Sequence, residues 1–236
     1  MSTAERFLDS SFDPPVRGFL HGSGQPMGLV LTHGAGGNAQ SGLLLALAEC
    51  FSNAGFVVLR AELPFRQLRS YGPPRPGDAA RDRSGLRHAV AVVRKLTSGH
   101  VFLGGQSYGG RQASMLLAEE KVAEGLLLLS YPLHAPSRPE QLRTEHLPKL
   151  QVPSLFVHGS RDPFGSIAEI ETARKLIPAG STLLVVEGAG HDLGYKGKSK
   201  REELPNRVLG RFREFFPVTG LNGPRRDQAS VYNSAF

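Results

Sequence analysis

The segment VFLGGQSYGGRQASM, residues 101–115, passes from an apolar run through a glycine-flanked serine into a stretch with helical character. Ser107 sits between Gly105 and Gly109, with Gly110 and Ala113 following. A serine hydroxyl is a weak nucleophile unless a base activates it and the backbone aims it. At a sharp strand-to-helix turn the aimed residue is strained, and the positions two before and two after it lie too close to neighbouring backbone for a side chain. Gly105 and Gly109 meet that need. Gly110 and Ala113 keep the next helix slim, and its first N–H groups point back toward the serine. The pattern Gly-x-Ser-x-Gly is short enough to arise by chance, so its weight comes from its place, after a strand and before a helix, near mid-chain.

Around this segment, short apolar runs recur: GLVLT (28–32), FVVLR (56–60), VFLG (101–104), GLLLLS (125–130), SLFVH (154–158) and TLLVVE (182–187). They do not alternate apolar with polar, which is the signature of strands covered on both faces. Between them lie residues spaced by three and four, including Leu43, Leu44, Leu47 and Phe51, then Leu86, Ala89, Val90 and Val93, and last Val208, Leu209, Phe212 and Phe216. Strands alternating with helices predict an α/β fold, a mostly parallel sheet with helices on both faces. Two Pro- and Arg-rich stretches, 62–77 and 131–152, follow strands without a clear element and are expected to rim the site. One domain is expected over residues 1–217, with 218–236 a polar tail without periodicity.

Composition narrows the function classes. The 236 residues carry a formal charge of +7, with a pI near 9.9. The one dense basic cluster, Lys196, Lys198, Lys200 and Arg201, is followed by Glu202 and Glu203 and has no interleaved aromatics. It therefore argues for a solvated loop rather than a nucleic-acid platform. No apolar run is long enough to span a bilayer, and the N-terminus lacks the apolar region of a signal peptide, so a cytoplasmic protein is expected. Cys50 is the single cysteine, read as a small buried hydrophobe.

The chain resembles the α/β-hydrolase family, with Ser107 at the nucleophile position. That family orders nucleophile, acid and histidine along the chain. In this sequence the resemblance assigns the acid to Asp162 of SLFVHGSRDPFG and the histidine to His191 of TLLVVEGAGHDLG. LVLTHGAGG resembles the family's oxyanion loop, which implies the backbone N–H of Ala35, with Gly36 as alternative, acting beside that of Tyr108. THGAGG, GGQSYGGR, SYPLH, HGSRDPFG and GAGHDL are similar to the small, lidless, dienelactone-hydrolase-like branch. Within it they resemble predicted hydrolases akin to the hydrolase-like domain of a non-specific-lethal complex subunit. Dienelactone hydrolases use a cysteine nucleophile, so their substrate does not carry over. The little sequence before Gly28 predicts a sheet trimmed of its first antiparallel strands.

The resemblance implies a serine hydrolase of a small ester or thioester, of carboxylesterase or thioesterase type, with neither metal nor organic cofactor. The alternative is a non-catalytic scaffold or interaction module that keeps the fold. His33 is expected to be structural, Asp192 to be a bystander and Ser130 a local cap. Arg60, Glu62, Arg66, Arg69 and Arg111 are candidates to line the mouth, with Arg66, Arg69 and Arg111 as substrate-binding residues for an anion.

Overall fold

A computed structural model of the chain describes residues 4–195 and 202–216. Eight strands form one sheet: β1 (Glu5–Asp9), β2 (Val16–His21), β3 (Met27–Thr32), β4 (Phe56–Ala61), β5 (Val101–Gln106), β6 (Gly125–Leu129), β7 (Ser154–Gly159) and β8 (Ser181–Val186). Their spatial order is β1-β2-β4-β3-β5-β6-β7-β8. All six apolar runs of the sequence are strands, and their pairings with one another are parallel. The predicted trimming of the sheet is corrected by β1 and β2, which pair antiparallel with each other, and β2 pairs antiparallel with β4. A hairpin of two such short strands fits into the little chain that precedes β3.

The helices are α1 (Gly42–Asn53), α2 (Pro64–Leu68), α3 (Asp78–Leu96), α4 (Tyr108–Glu119), α5 (Ile167–Arg174) and α6 (Leu204–Phe215). Period-two geometry divides each central strand between two cores. Val30 of β3 faces the cluster built with Leu86, Val90 and Val93 of α3 and Ala113 of α4. Leu29 and Leu31 face the opposite cluster, with Leu44 and Leu47 of α1 and Val208 and Phe212 of α6. Phe212 is packed edge-on against Phe51, Phe56 and Phe102, at centroid distances of 5.1, 5.8 and 4.8 Å. Each such fully buried ring contributes about 1.5–3 kcal/mol. Both sheet faces are thus covered, which is why the strands lack alternation.

β3 and β5 are neighbours, but the chain leaves β3 for β4 on one side and returns to β5 on the other. Such a switch in strand order opens a crevice at the carboxyl ends of the strands, where loops diverge instead of packing. The β6–β7 connection carries a single 3-10 turn, Leu147–Lys149, and one isolated bridge, Ala135 to Arg138, so no lid-sized element covers this crevice among the described residues. No helix of the described residues is long and apolar enough to cross a membrane. The basic cluster at 196–201 and the tail at 218–236 lie outside the described residues.

Candidate active site

Ser107 joins β5 to α4 with φ 50° and ψ −118°, a backbone conformation that side-chain-bearing residues rarely adopt. Its N–H donates to Leu129 O at 2.8 Å, and its carbonyl receives the Arg111 N–H at 3.0 Å, so the turn is tied on both sides. The flanking glycines have steric causes. A Cβ on Gly105 would lie 2.6 Å from the Gly109 carbonyl carbon and from the Gly110 nitrogen. One on Gly109 would overlap the His33 carbonyl, and one on Gly110 would sit 2.6 Å from Gly105 O.

The turn delivers the Ser107 hydroxyl to His191. Oγ lies 2.8 Å from His191 Nε2, and His191 Nδ1 lies 2.8 and 3.0 Å from the two Asp162 carboxylate oxygens. An ionised carboxylate only accepts, so Nδ1 carries the ring proton and donates, leaving the Nε2 lone pair to accept from the serine hydroxyl. Asp162 is fully buried at its side chain, whereas His191 is 25% exposed. Oδ1 of Asp162 also accepts the Phe164 N–H at 2.9 Å. The Phe164 ring stacks on His191 at 4.2 Å between centroids, fixing the imidazole plane. The two loops meet because Gly159 admits the close approach of Ala189 and Gly190; a Cβ there would sit 2.6 Å from Gly190 O. Arg161 N–H donates to Ala189 O at 2.9 Å, and Gly188 N–H donates to Ser160 Oγ at 2.8 Å. Asp192 points elsewhere, with Oδ1 accepting the Gly194 N–H at 3.0 Å.

His158, at the end of β7, is buried behind this pair. Its Nε2 donates to Gly165 O at 2.8 Å and lies 3.6 Å from Asp162 Oδ2. Burial pushes its pKa down, opposed by the nearby Asp162 charge.

The Gly34–Gly37 loop faces Ser107 across the crevice. It is held by His33, whose Nε2 accepts the Leu63 N–H at 3.1 Å and whose Nδ1 donates to Gly34 O at 2.8 Å. Burial lowers the His33 pKa to about 4, so the ring is a neutral strut. Arg66 is the second support: its guanidinium donates to Ala35 O, Gly37 O, Arg69 O and Gly72 O at 2.8–3.1 Å. Tyr108 opens α4, and an N–H in a first helical turn has no partner inside its helix. Its hydroxyl donates to Asp82 Oδ2 at 2.7 Å, and the same buried carboxylate accepts the Phe65 N–H at 2.9 Å. Burial raises the Asp82 pKa, with both hydrogen bonds opposing.

A cavity of about 430 Å³ is lined by the Gly34–Gly37 loop, Ser107, Tyr108 and His191, with Ser41, Gln106, Arg111, Pro132, Arg143 and Phe164 completing the wall. A family model described as alpha/beta hydrolase domain matches residues 25–211. The chain belongs to the alpha/beta hydrolase family. Among solved structures, this alpha/beta hydrolase is similar to a dienelactone hydrolase from Anabaena variabilis, at 20% identity and a TM-score of 0.70, with 91% of this chain and 99% of that one covered. It is also similar to a lidless serine hydrolase from Xanthomonas campestris (17% identity, TM-score 0.68, 92% and 96% covered). A third similarity is to Est1E from Butyrivibrio proteoclasticus (18% identity, TM-score 0.67, 90% and 98% covered). These likenesses establish a shared fold.

The structure brings Ser107, Asp162, His191, Ala35, Tyr108 and Arg111 of this alpha/beta hydrolase to one place and removes others. Arg66 is buried and occupied by four backbone carbonyls, so it supports the loop and has no fork left to offer a substrate. Arg69 is ion-paired with Asp78 and does not line the cavity. Arg60 is also internal, donating to His21 Nε2 and Ala39 O, while Glu62 faces Arg17. Ser130 is not a cap: its hydroxyl is buried without a partner and its φ is 49°. Of the two irregular stretches, 131–152 rims the cavity through Pro132 and Arg143, whereas no residue of 62–77 lines it. Cys50 is partly exposed, with Sγ 3.3 Å from Asn206 Oδ1, rather than a buried hydrophobe. Phe164, Arg143, His158 and Asp82 were not singled out by the sequence; Phe164 had a signal in lying two residues after Asp162 in the same loop, and Arg143 in belonging to the 131–152 stretch. No group of three or more His, Cys, Asp or Glu among the described residues is arranged to hold a metal ion.

Proposed function

We propose that this chain is a serine hydrolase that cleaves a small ester or thioester through an acyl-enzyme on Ser107. The observation that carries the proposal is the continuous relay of 2.8 Å contacts from Ser107 Oγ to His191 and from His191 to buried Asp162. His191 Nε2 takes the hydroxyl proton as Oγ attacks the substrate carbonyl carbon. Asp162 holds the ring tautomer and stabilises the imidazolium that forms. The backbone N–H groups of Ala35 and Tyr108 receive the developing oxyanion. The imidazolium then protonates the leaving alkoxide or thiolate, and His191 activates the water that releases the acyl group. The open crevice and the modest cavity favour short acyl chains over long lipids. In this reading residues 1–217 are the hydrolase domain and 218–236 a polar tail.

The test is labelling of the native protein with a fluorophosphonate, followed by peptide mapping. Modification of Ser107 alone, abolished by prior unfolding, is the expected result. Labelling spread over other serines, or none in folded protein, sinks the proposal.

A further inference from the structure

Two of the side chains lining the cavity are arginines, Arg111 and Arg143, and none is acidic. Arg111 lies one helical turn after Ser107, its N–H bound to the Ser107 carbonyl at 3.0 Å. Arg111 therefore stands in the first turn of α4 and lines the same cavity as Ser107. Arg111 Nε is buried and has no hydrogen-bond partner. Arg143 is held by its backbone: its N–H donates to Leu133 O at 2.8 Å and its carbonyl accepts the Tyr131 hydroxyl at 2.6 Å. Of its guanidinium, Nη1 donates to Pro132 O at 3.1 Å. Among the described residues neither arginine has a carboxylate within ion-pair distance. Burial and, after it, the charge of Arg111 both lower the Arg143 pKa, so two like charges press on one another in a half-shielded wall. Half-buried charge without a counter-ion is unfavourable, and an oxyanion bound between the two forks relieves both the desolvation and the repulsion.

We propose that Arg111 and Arg143 form an anion subsite in the Ser107 cavity, so that the ester or thioester cleaved there carries a carboxylate close to its reacting carbonyl. The closeness follows from the shared cavity: Arg111, Arg143 and Ser107 line one space of about 430 Å³, the reach of a substituent on a small substrate, not of a remote phosphate on a long carrier. A planar guanidinium fork matches a carboxylate with two parallel hydrogen bonds, which a lysine in the same place would not. This rests on the hydrolase reading above, and the test separates the two.

In Ser107→Ala, which cannot turn substrate over, calorimetry compares monophenyl adipate with phenyl hexanoate, and 4-acetoxybenzoate with 4-acetoxybenzamide. The first pair places a carboxylate on the acyl side and the second on the leaving side. The anionic member of at least one pair is expected to bind about tenfold to hundredfold more tightly, the scale of a hydrogen bond to a charged group. Arg111→Gln or Arg143→Gln in that background should shrink the gap to under about threefold. Either variant suffices, so misfolding of one leaves the test standing. In the wild type the same preference should appear in kcat/KM. Equal binding within both pairs, or a preference that survives both substitutions, overturns the subsite. Esters cleaved without anionic preference leave the hydrolase and remove the subsite. Arginine-dependent anion binding with no ester cleaved and no serine labelled does the reverse.

Discussion

His33 and His191 both lie close to the Ser107 turn, each beside a glycine in the sequence, and their surroundings make them different instruments. His33 is fully buried and spends both ring nitrogens on backbone groups, Leu63 N–H and Gly34 O. His191 is a quarter exposed and spends both on side chains, the Asp162 carboxylate and the Ser107 hydroxyl. A ring locked between a backbone donor and a backbone acceptor cannot change protonation without breaking the loop it supports. One set between a carboxylate and a hydroxyl can take a proton and return it. The role of a histidine is thus written in the proton capacity of its two neighbours, not in the local motif.

The largest effect expected from this contrast, on the proposed hydrolase, is on His191 and the Asp162 carboxylate it contacts. Asp162→Asn should lower kcat for a short ester by about 10⁴, because the amide favours the wrong tautomer, with melting temperature little changed. A variant retaining near-wild-type kcat would remove His191 from the proton-moving side of the comparison.

His33→Ala should act chiefly on stability. It strands the Leu63 N–H and the Gly34 carbonyl in the interior, for a loss of about 2–4 kcal/mol in urea unfolding. Wild-type stability in this variant would mean that the loop does not depend on its strut.

Next comes pH. Burial holds His33 to about 4 in the folded protein, while the unfolded chain protonates it near the ordinary value of 6.5. The unfolded state then binds more protons between those values. Stability is full above 6.5, falls as pH drops through the window, and is wholly lost below about 4 for this group, with a slope of about 1.4 kcal/mol per pH unit. His21 and His146, also lowered to about 4 by burial, steepen the same slope. Asp82, raised by burial, works against it at the acid end. Urea midpoints at pH 7 and pH 5 check this, and the slope should flatten in His33→Ala. A midpoint unchanged across the window would contradict the desolvation of these three histidines.

The smallest effect belongs to Asp192→Asn. Its carboxylate caps the turn at Gly194 and does not contact His191, so kcat should stay within about threefold of wild type. Loss comparable to that of Asp162→Asn would mean that the wrong carboxylate has been paired with the imidazole.

What the sequence disclosed was local. Gly105, Gly109 and Gly110 announce a backbone too close for side chains, and each has an identifiable atom in the way. The six unbroken apolar runs announce strands with helices on both faces. β1 was hidden because an edge strand offers little to read: of ERFLD, three residues are exposed and two half-buried. β2 alternates, but Gly18 interrupts its apolar face where a side chain would collide with the Arg60 carbonyl. The arginines were the least legible. Arg66 and Arg143 both come from Pro- and Arg-rich loops, and nothing near either in sequence separates a strut from a cavity wall. Arg66 is fixed by carbonyls of residues 35, 37, 69 and 72, and Arg143 by Tyr131 and Leu133; only the folded loops assemble those partners.

The four carbonyls on Arg66 bear on when disorder is lost. HGAGG is among the most pliable sequences a chain can contain, because glycine gives up more freedom on ordering than any other residue, about 1–2 kcal/mol per backbone unit. One guanidinium, tied to Ala35 and Gly37, freezes that segment as the protein folds. The loss of freedom is therefore met once, out of the stability of the whole sheet, and an arriving molecule finds the Gly34–Gly37 segment at rest.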